Sequence, residues 1–231
     1  MKTCRKKPLY AGIDIARGAW IVVVVNDDGF YAAHYASTLT DLTHELAACH
    51  TIAIDVPLAL SDTAVRACDG ACRDVLGIRR SSLFFTPVRA ALHAPTHAEA
   101  SVVNKNATGK GISVQAYALR HKIFDAHRFL TQTGITMLET HPETTFTVLA
   151  GGPFTTAKST WAGIKQRERL LHTHGVTLDD CLPAGAKAGP DDMVDAAVAA
   201  LTARRYAHGD AKTFGDGTID DTIGVAQTIY A

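Results

Sequence analysis

The amino-acid sequence predicts an α/β protein: a mixed sheet in which an antiparallel three-strand meander joins parallel strands, with helices on both faces and a helical insertion. Three observations carry that prediction. The chain opens with three apolar or alternating runs separated only by tight-turn residues. A fourth apolar run follows one short helical segment, and a strand–helix–strand crossover returns parallel to its start. Beyond the fourth run helical periodicity dominates, broken by a single short apolar run.

"PLYAGIDIA" (8–16) and "AWIVVVVN" (19–26) read as strands, and "DDG" (27–29) turns the chain into a third, "FYAAHYA". Acid-Gly between apolar runs is hairpin chemistry. "TDLTHELAAC" (40–49) reads as a short helix capped by Thr40, because a hydroxyl before helically spaced apolar residues satisfies a free N–H. "TIAIDVP" (51–57) is a compact strand stopped by Pro57. Residues 58–134 form a mostly helical insertion between strands 4 and 5, with helices over "SDTAVRACDGACRDVLG" and "GISVQAYALRHKIFDAHRFLTQTG" around an irregular segment and a Gly-Lys-Gly loop. "ITMLET" (135–140) is the fifth strand. Pro142 then suits a first helical turn, where the missing N–H costs nothing. "KSTWAGIKQRERLLHTHG" and 190–207 are the last helices, and the polar tail ends in a strand within "TIGVAQTIYA". At 231 residues the whole reads as a single domain, 1–231, with ample length for a core.

Composition narrows the function. Lys+Arg 23 against Asp+Glu 23 leaves no net charge, so no global field steers the chain to phosphate. No apolar run reaches membrane-spanning length and the N-terminal residues lack a signal-peptide core, so a cytoplasmic protein is expected. Cys4, Cys49, Cys68, Cys72 and Cys181 are scattered and odd in number, which reads as reduced thiols rather than zinc ligands or a disulfide framework.

The acids carry the chemistry. Asp14 lies between Ile13 and Ile15, and Asp55 between Ile54 and Val56, so each faces away from its apolar neighbours. Both lie near the C-terminal ends of strands, where open α/β sheets place their sites. In "GPDDMVDAAVAALTARR" (189–205), Asp192 suits a helix start after Pro190. Asp195 points with Val198 and Ala199 toward a packed face, and a carboxylate there needs a partner. Neighbouring strands 1 and 4 with the closing helix across them would gather Asp14, Asp55, Asp192 and Asp195, with Glu139 on strand 5 as a further member. Carboxylates at contact distance need a counter-charge. Hard oxygen ligands without a Cys/His cluster point to Mg²⁺ or Mn²⁺, and two such ions suit phosphodiester displacement.

This order of strands and acids resembles the ribonuclease-H-like superfamily, and "DMVDAAVAA" resembles the acidic helix of its Holliday-junction resolvases. Nearly the whole chain is similar to the family called domain of unknown function 429, predicted ribonuclease-H-like nucleases. The similarity runs through "GIDIARGAW", "AIDVPLAL", "CDGACRDVLGIRRSSLFFTPVR", "TGKGISVQAYAL", "ETHPETTF" and "DDMVDAAVAALTARR". The resemblance implies a metal-dependent nuclease with Asp14, Asp55, Asp192 and Asp195 as metal ligands and Glu139 as a possible addition. It implies nucleic acid, DNA or RNA, as partner. Resolvase-like sites usually carry Glu on strand 4, where this chain has the shorter Asp55.

Arg79 and Arg80 beside two serines, and Lys110 between glycines, suit phosphate contact. The Lys110 loop lacks the spacing of a nucleotide-binding P-loop. His141 reads as a cap or a neighbour of a ligand, and Glu143 as a first-turn acid. The alternative function is a non-catalytic module that keeps the fold and binds nucleic acid or a nucleotide. Zero net charge leans toward it, or toward a small substrate.

Overall fold

The structure is a computed structural model that describes residues 7–178, 182–183 and 185–231. Cys4 and Cys181 lie outside them. The chain forms two compact units, one holding the N-terminal part through Asp55, Ile135–Leu138 and the described residues from Thr156 to Ala211. The other holds Val56–Gly134, Glu139–Thr155 and Lys212–Ala231. The second unit therefore takes in more than the 58–134 insertion read from sequence.

In the first unit β1 (Tyr10–Ala16), β2 (Ala19–Asn26) and β3 (Gly29–Ala36) form the expected antiparallel meander. β4 (Thr51–Ile54) runs parallel to β1, and β5, only Leu138–Glu139, completes the sheet order β3-β2-β1-β4-β5. The apolar run of β2 is buried on both faces, whereas β3 beyond Gly29 is only partly buried and leaves Tyr31 exposed at the sheet edge. The β1–β2 turn is made by Arg17 and Gly18 at φ 49° and 82°. Two left-handed residues in succession match the twist of a tight hairpin. Thr40 does not cap the next helix. It opens a 3₁₀ turn, Thr40–Leu42, before α1 (Thr43–Ala47), and Thr38 Oγ1 accepts the Asp41 N–H instead.

The closing helix is built for close approach. Counting α2 (Ala67–Leu76), α3 (Arg89–His93), α4 (His97–Thr108), α5 (Val114–Ala118), α6 (Arg120–Thr133), α7 (Pro142–Ala150) and α8 (Trp161–Thr173) along the chain, it is α9 (Pro190–His208). α9 packs on β1, β2 and β4, burying Ala196, Ala197, Ala199, Ala200 and Ala203 completely. Where it crosses β1, a Cβ on Gly12 would stand 2.0 Å from Ala200 N and 2.1 Å from Ala196 O. Helix backbone thus rests on strand backbone, which explains why this helix is made of alanine. Pro190 at its first turn and Gly209 at φ 80° past its end bound it.

In the second unit the segment 61–77 is helical only over α2, because Arg66 is still extended at φ −66°, ψ 136°. The stretch 111–134 divides into α5 and α6, and α4, capped by Thr96, occupies part of the stretch between the two predicted helices. The polar tail is a hairpin, β6 (Thr213–Asp220) with β7 (Val225–Tyr230), rather than a lone strand. α2 packs on it, placing Cys68 and Cys72 in an apolar cluster with Phe214 and Ile229. Among the described residues no helix is long and apolar enough to cross a membrane.

A methyl group at Gly12 would force α9 off β1. Overpacking of this kind costs about 3 kcal/mol, which at about 2–4 °C per kcal/mol lowers the melting temperature of Gly12→Ala by about 6–12 °C. Gly70, in α2, has open space around its Cβ position, so Gly70→Ala should gain about 0.5–1 kcal/mol. Thermal melts that moved both variants alike would refute the close-approach account.

Candidate functional site

Strand register brings the first two acids together. Ile13 pairs with Ile54 in the parallel ladder, and the Asp55 N–H donates to Ile13 O at 2.9 Å. Asp55 therefore continues β4 beside Asp14. Gly12 and Asp14, two residues apart on a strand, share a face. α9 lies on that face at Ala196, directly after Asp195. Asp14 is 7% exposed and Asp195 1%. Burial first, then the charges of Asp55 and Asp195, push the Asp14 carboxyl well above its ordinary 3.8, against the pull of Lys158. Two of the other acids gathered from sequence, Asp55 and Asp195, thus act on Asp14.

Lys158 is the residue that sequence reasoning missed. It precedes α8, and its ammonium pairs with Asp195 Oδ2. Burial alone would lower its pKa, but Asp195, Asp14 and Asp55 together raise it. An isolated lysine in "TTAKSTW" has no periodicity or motif to mark it.

Asp192 is committed differently. Its Oδ2 accepts the Gly189 N–H at 2.8 Å, closing the N-terminus of α9. Burial raises its carboxyl, and the charges acting on it are Asp191, Lys158 and Arg17. Its link to the other acids runs through Lys158.

Glu139, expected as a further acid of that site, has both oxygens taken within the second unit. Arg66 grips it at 2.6 Å (Oε1) and 2.8 Å (Oε2), and the Leu58 N–H donates to Oε2 at 2.7 Å. Arg66 also binds Asp69, whose other oxygen accepts the Thr86 N–H at 2.7 Å, and it donates to Ala59 O. All three ionic side chains are buried. The group ties the segments at 58–59 and 86 to the start of α2, and Glu139 belongs to it. No sequence signal distinguished an acid that pairs with a distant buried arginine from one that meets other acids.

The proposed phosphate contacts differ among themselves. Arg79 Nε lies 3.4 Å from the buried Glu143, Arg80 is exposed, and the Lys110 ammonium sits 4.9 Å from the centre of the Phe85 ring. His141 caps α7, its Nδ1 accepting the Thr144 N–H at 3.2 Å.

The donor set around Asp14 suits a hard divalent cation: carboxylate oxygens with like charges crowded in a desolvated place. Among the described residues no group of three or more His, Cys, Asp or Glu side chains is already arranged to hold a metal ion. Around Asp14 the counter-charge in place is the Lys158 ammonium.

Fold and site together define an α/β protein with a mixed five-stranded sheet and a buried acidic centre where β1 and β4 end. The chain belongs to the family described as protein of unknown function (DUF429), whose model matches residues 12–218. No curated protein and no solved structure matches it.

Two outcomes follow. The folded state holds the Asp14 proton more tightly than the unfolded chain does. That contribution to stability is complete below pH 3.8 and is lost as the pH rises toward the raised folded value. Asp14→Asn has no such loss. In EDTA its urea midpoint should pull ahead of wild type as the pH rises above 3.8, and a constant difference would overturn the account. Arg66→Met leaves buried acids unpaired and should cost about 3–5 kcal/mol in urea unfolding; a loss under about 1 kcal/mol would show the triad to be dispensable.

Proposed function

We propose that the protein is a cytoplasmic, metal-dependent phosphodiesterase of the ribonuclease-H-like superfamily, a nuclease acting on nucleic acid. The gathering of acids far apart in sequence carries this reading: Asp55 continues β4 beside Asp14 of β1, and α9 lays Asp195, next to Ala196, on the same face of β1. The strand order β3-β2-β1-β4-β5, with one acid near the end of β1, one just past β4 and another on the closing helix, supports the superfamily.

Asp14, Asp55 and Asp195 would hold Mg²⁺ or Mn²⁺, with Asp192 at the rim as helix cap and as an anion near Lys158. A divalent cation supplies the charge that makes water acidic enough to attack and that stabilises a leaving oxygen. The chain's own contribution is placement. Backbone packing of α9 on β1 holds Asp195, and the β1–β4 ladder holds Asp14 against Asp55. Arg80 and Lys110 are the candidate contacts to phosphate; Arg79 is drawn to Glu143.

Incubation of the purified protein with branched, duplex and hybrid nucleic acids in Mn²⁺ or Mg²⁺ tests this. Cleavage is expected, falling on the order of 100-fold or more in Asp14→Asn and Asp55→Asn. Absence of cleavage on every substrate, or full activity in both variants, would remove the nuclease reading. Binding that survives EDTA without turnover would identify a non-catalytic module instead.

A further inference from the structure

We infer that the second unit carries a pocket for one unstacked nucleotide, walled by Arg73, Arg80 and Phe85, so that the strand it binds is a single one. The inference takes its ligand class from the nucleic-acid reading above and uses none of the metal chemistry proposed there.

The pocket lies between α2 and the residues that follow it. Gly70, Arg73, Asp74, Gly77, Arg80 and Phe85 line a cavity of about 480 Å³, the size of a small-molecule site. A Cβ on Gly70 or Gly77 would meet nothing within 4 Å, so backbone forms part of the wall and leaves the space open. The charge is unbalanced. Arg73 and Arg80 line the cavity, and the Lys110 ammonium comes to 4.9 Å from the centre of the Phe85 ring. Asp74 is the one acid among these lining residues. On a chain with no net charge, a local excess of cations is what draws a phosphate.

Arg73 is held by its own side chain. Its Nη1 donates to Arg80 O at 2.7 Å and to Leu83 O, and its guanidinium carbon stands 4.6 Å from the centre of the Phe85 ring. Its Nε and Nη2 donors have no protein partner among the described residues and are not sealed from solvent. A guanidinium anchored through one nitrogen keeps an edge free to grip an oxyanion. Backed by an aromatic ring, its plane is also a surface on which a free base stacks. Arg80, exposed and without an ion pair among the described residues, is the neighbouring phosphate contact, and exposed Lys110 is a second. A base in a duplex must leave its stack and its partner to enter such a cavity. A base of a single strand has no partner to leave.

Fluorescence anisotropy in EDTA tests this with a labelled oligothymidylate strand, the same strand paired with oligoadenylate, and an abasic strand of equal phosphate number. The single strand should bind about tenfold or more tightly than either. Gly70→Leu, which fills the cavity and removes no charge, should weaken single-strand binding by about tenfold or more and leave abasic-strand binding unchanged. Arg80→Gln, altering only an exposed side chain, should lower the slope of log affinity against log salt by about 0.7. Circular dichroism melts check that each variant is folded. Equal affinity for the three ligands, no binding of any, undiminished single-strand binding in folded Gly70→Leu, or an unchanged salt slope in Arg80→Gln would each overturn the pocket. Cleavage in Mn²⁺ alongside such a result would keep the nuclease reading, whereas the expected binding without cleavage would uphold the pocket and remove the nuclease.

Discussion

The first unit depends on one contact, the backbone of α9 lying on the backbone of β1 at Gly12. A hydrogen atom on the strand and methyl groups on the helix leave no room for larger side chains. Everything chemically interesting in this unit sits immediately beside that contact. Asp14 follows Gly12 on the same face of the strand, and Asp195 precedes Ala196, whose carbonyl oxygen faces Gly12. This close packing is thus also what takes the acids out of water.

Burying acids together opposes stability. Asp14 bears the consequence, its carboxyl raised by burial and by two neighbouring acids. Only part of that is relieved by Lys158. The second unit shows the contrast: Glu139 and Asp69 are as deeply buried, yet Arg66 and backbone N–H groups satisfy them. One acidic group is paired to hold segments together, while the other is left short of positive charge. Natural proteins accept such local strain where a function requires it.

Much of this was legible in the sequence, for physical reasons that differ by element. Alternation around Asp14 and Asp55 marks strands because side chains on a strand change face at each residue. Pro190 marks the start of α9 because a proline fits only its first turn. β6 escaped because Thr213–Asp220 is an exposed hairpin arm with two glycines and little apolar content. β5 shrank to two residues because burial in "ITMLET" reflects packing more than ladder pairing. Lys158 and Arg66 were illegible for a deeper reason. A cation's partner is set by tertiary contact, and nothing in the local sequence records that Lys158 meets Asp195 or that Arg66 meets Glu139.

The dependence of β1 on α9 also has a history in time. β4 ends at Ile54, whereas α9 begins at Pro190. At roughly 5–20 residues per second of synthesis, the sheet face around Gly12 waits on the order of ten seconds on the ribosome before its cover emerges. During that wait the apolar strands β1, β2 and β4 present sticky surface to the cell. The chain's most vulnerable interval in biogenesis is set by how late its alanine helix is made.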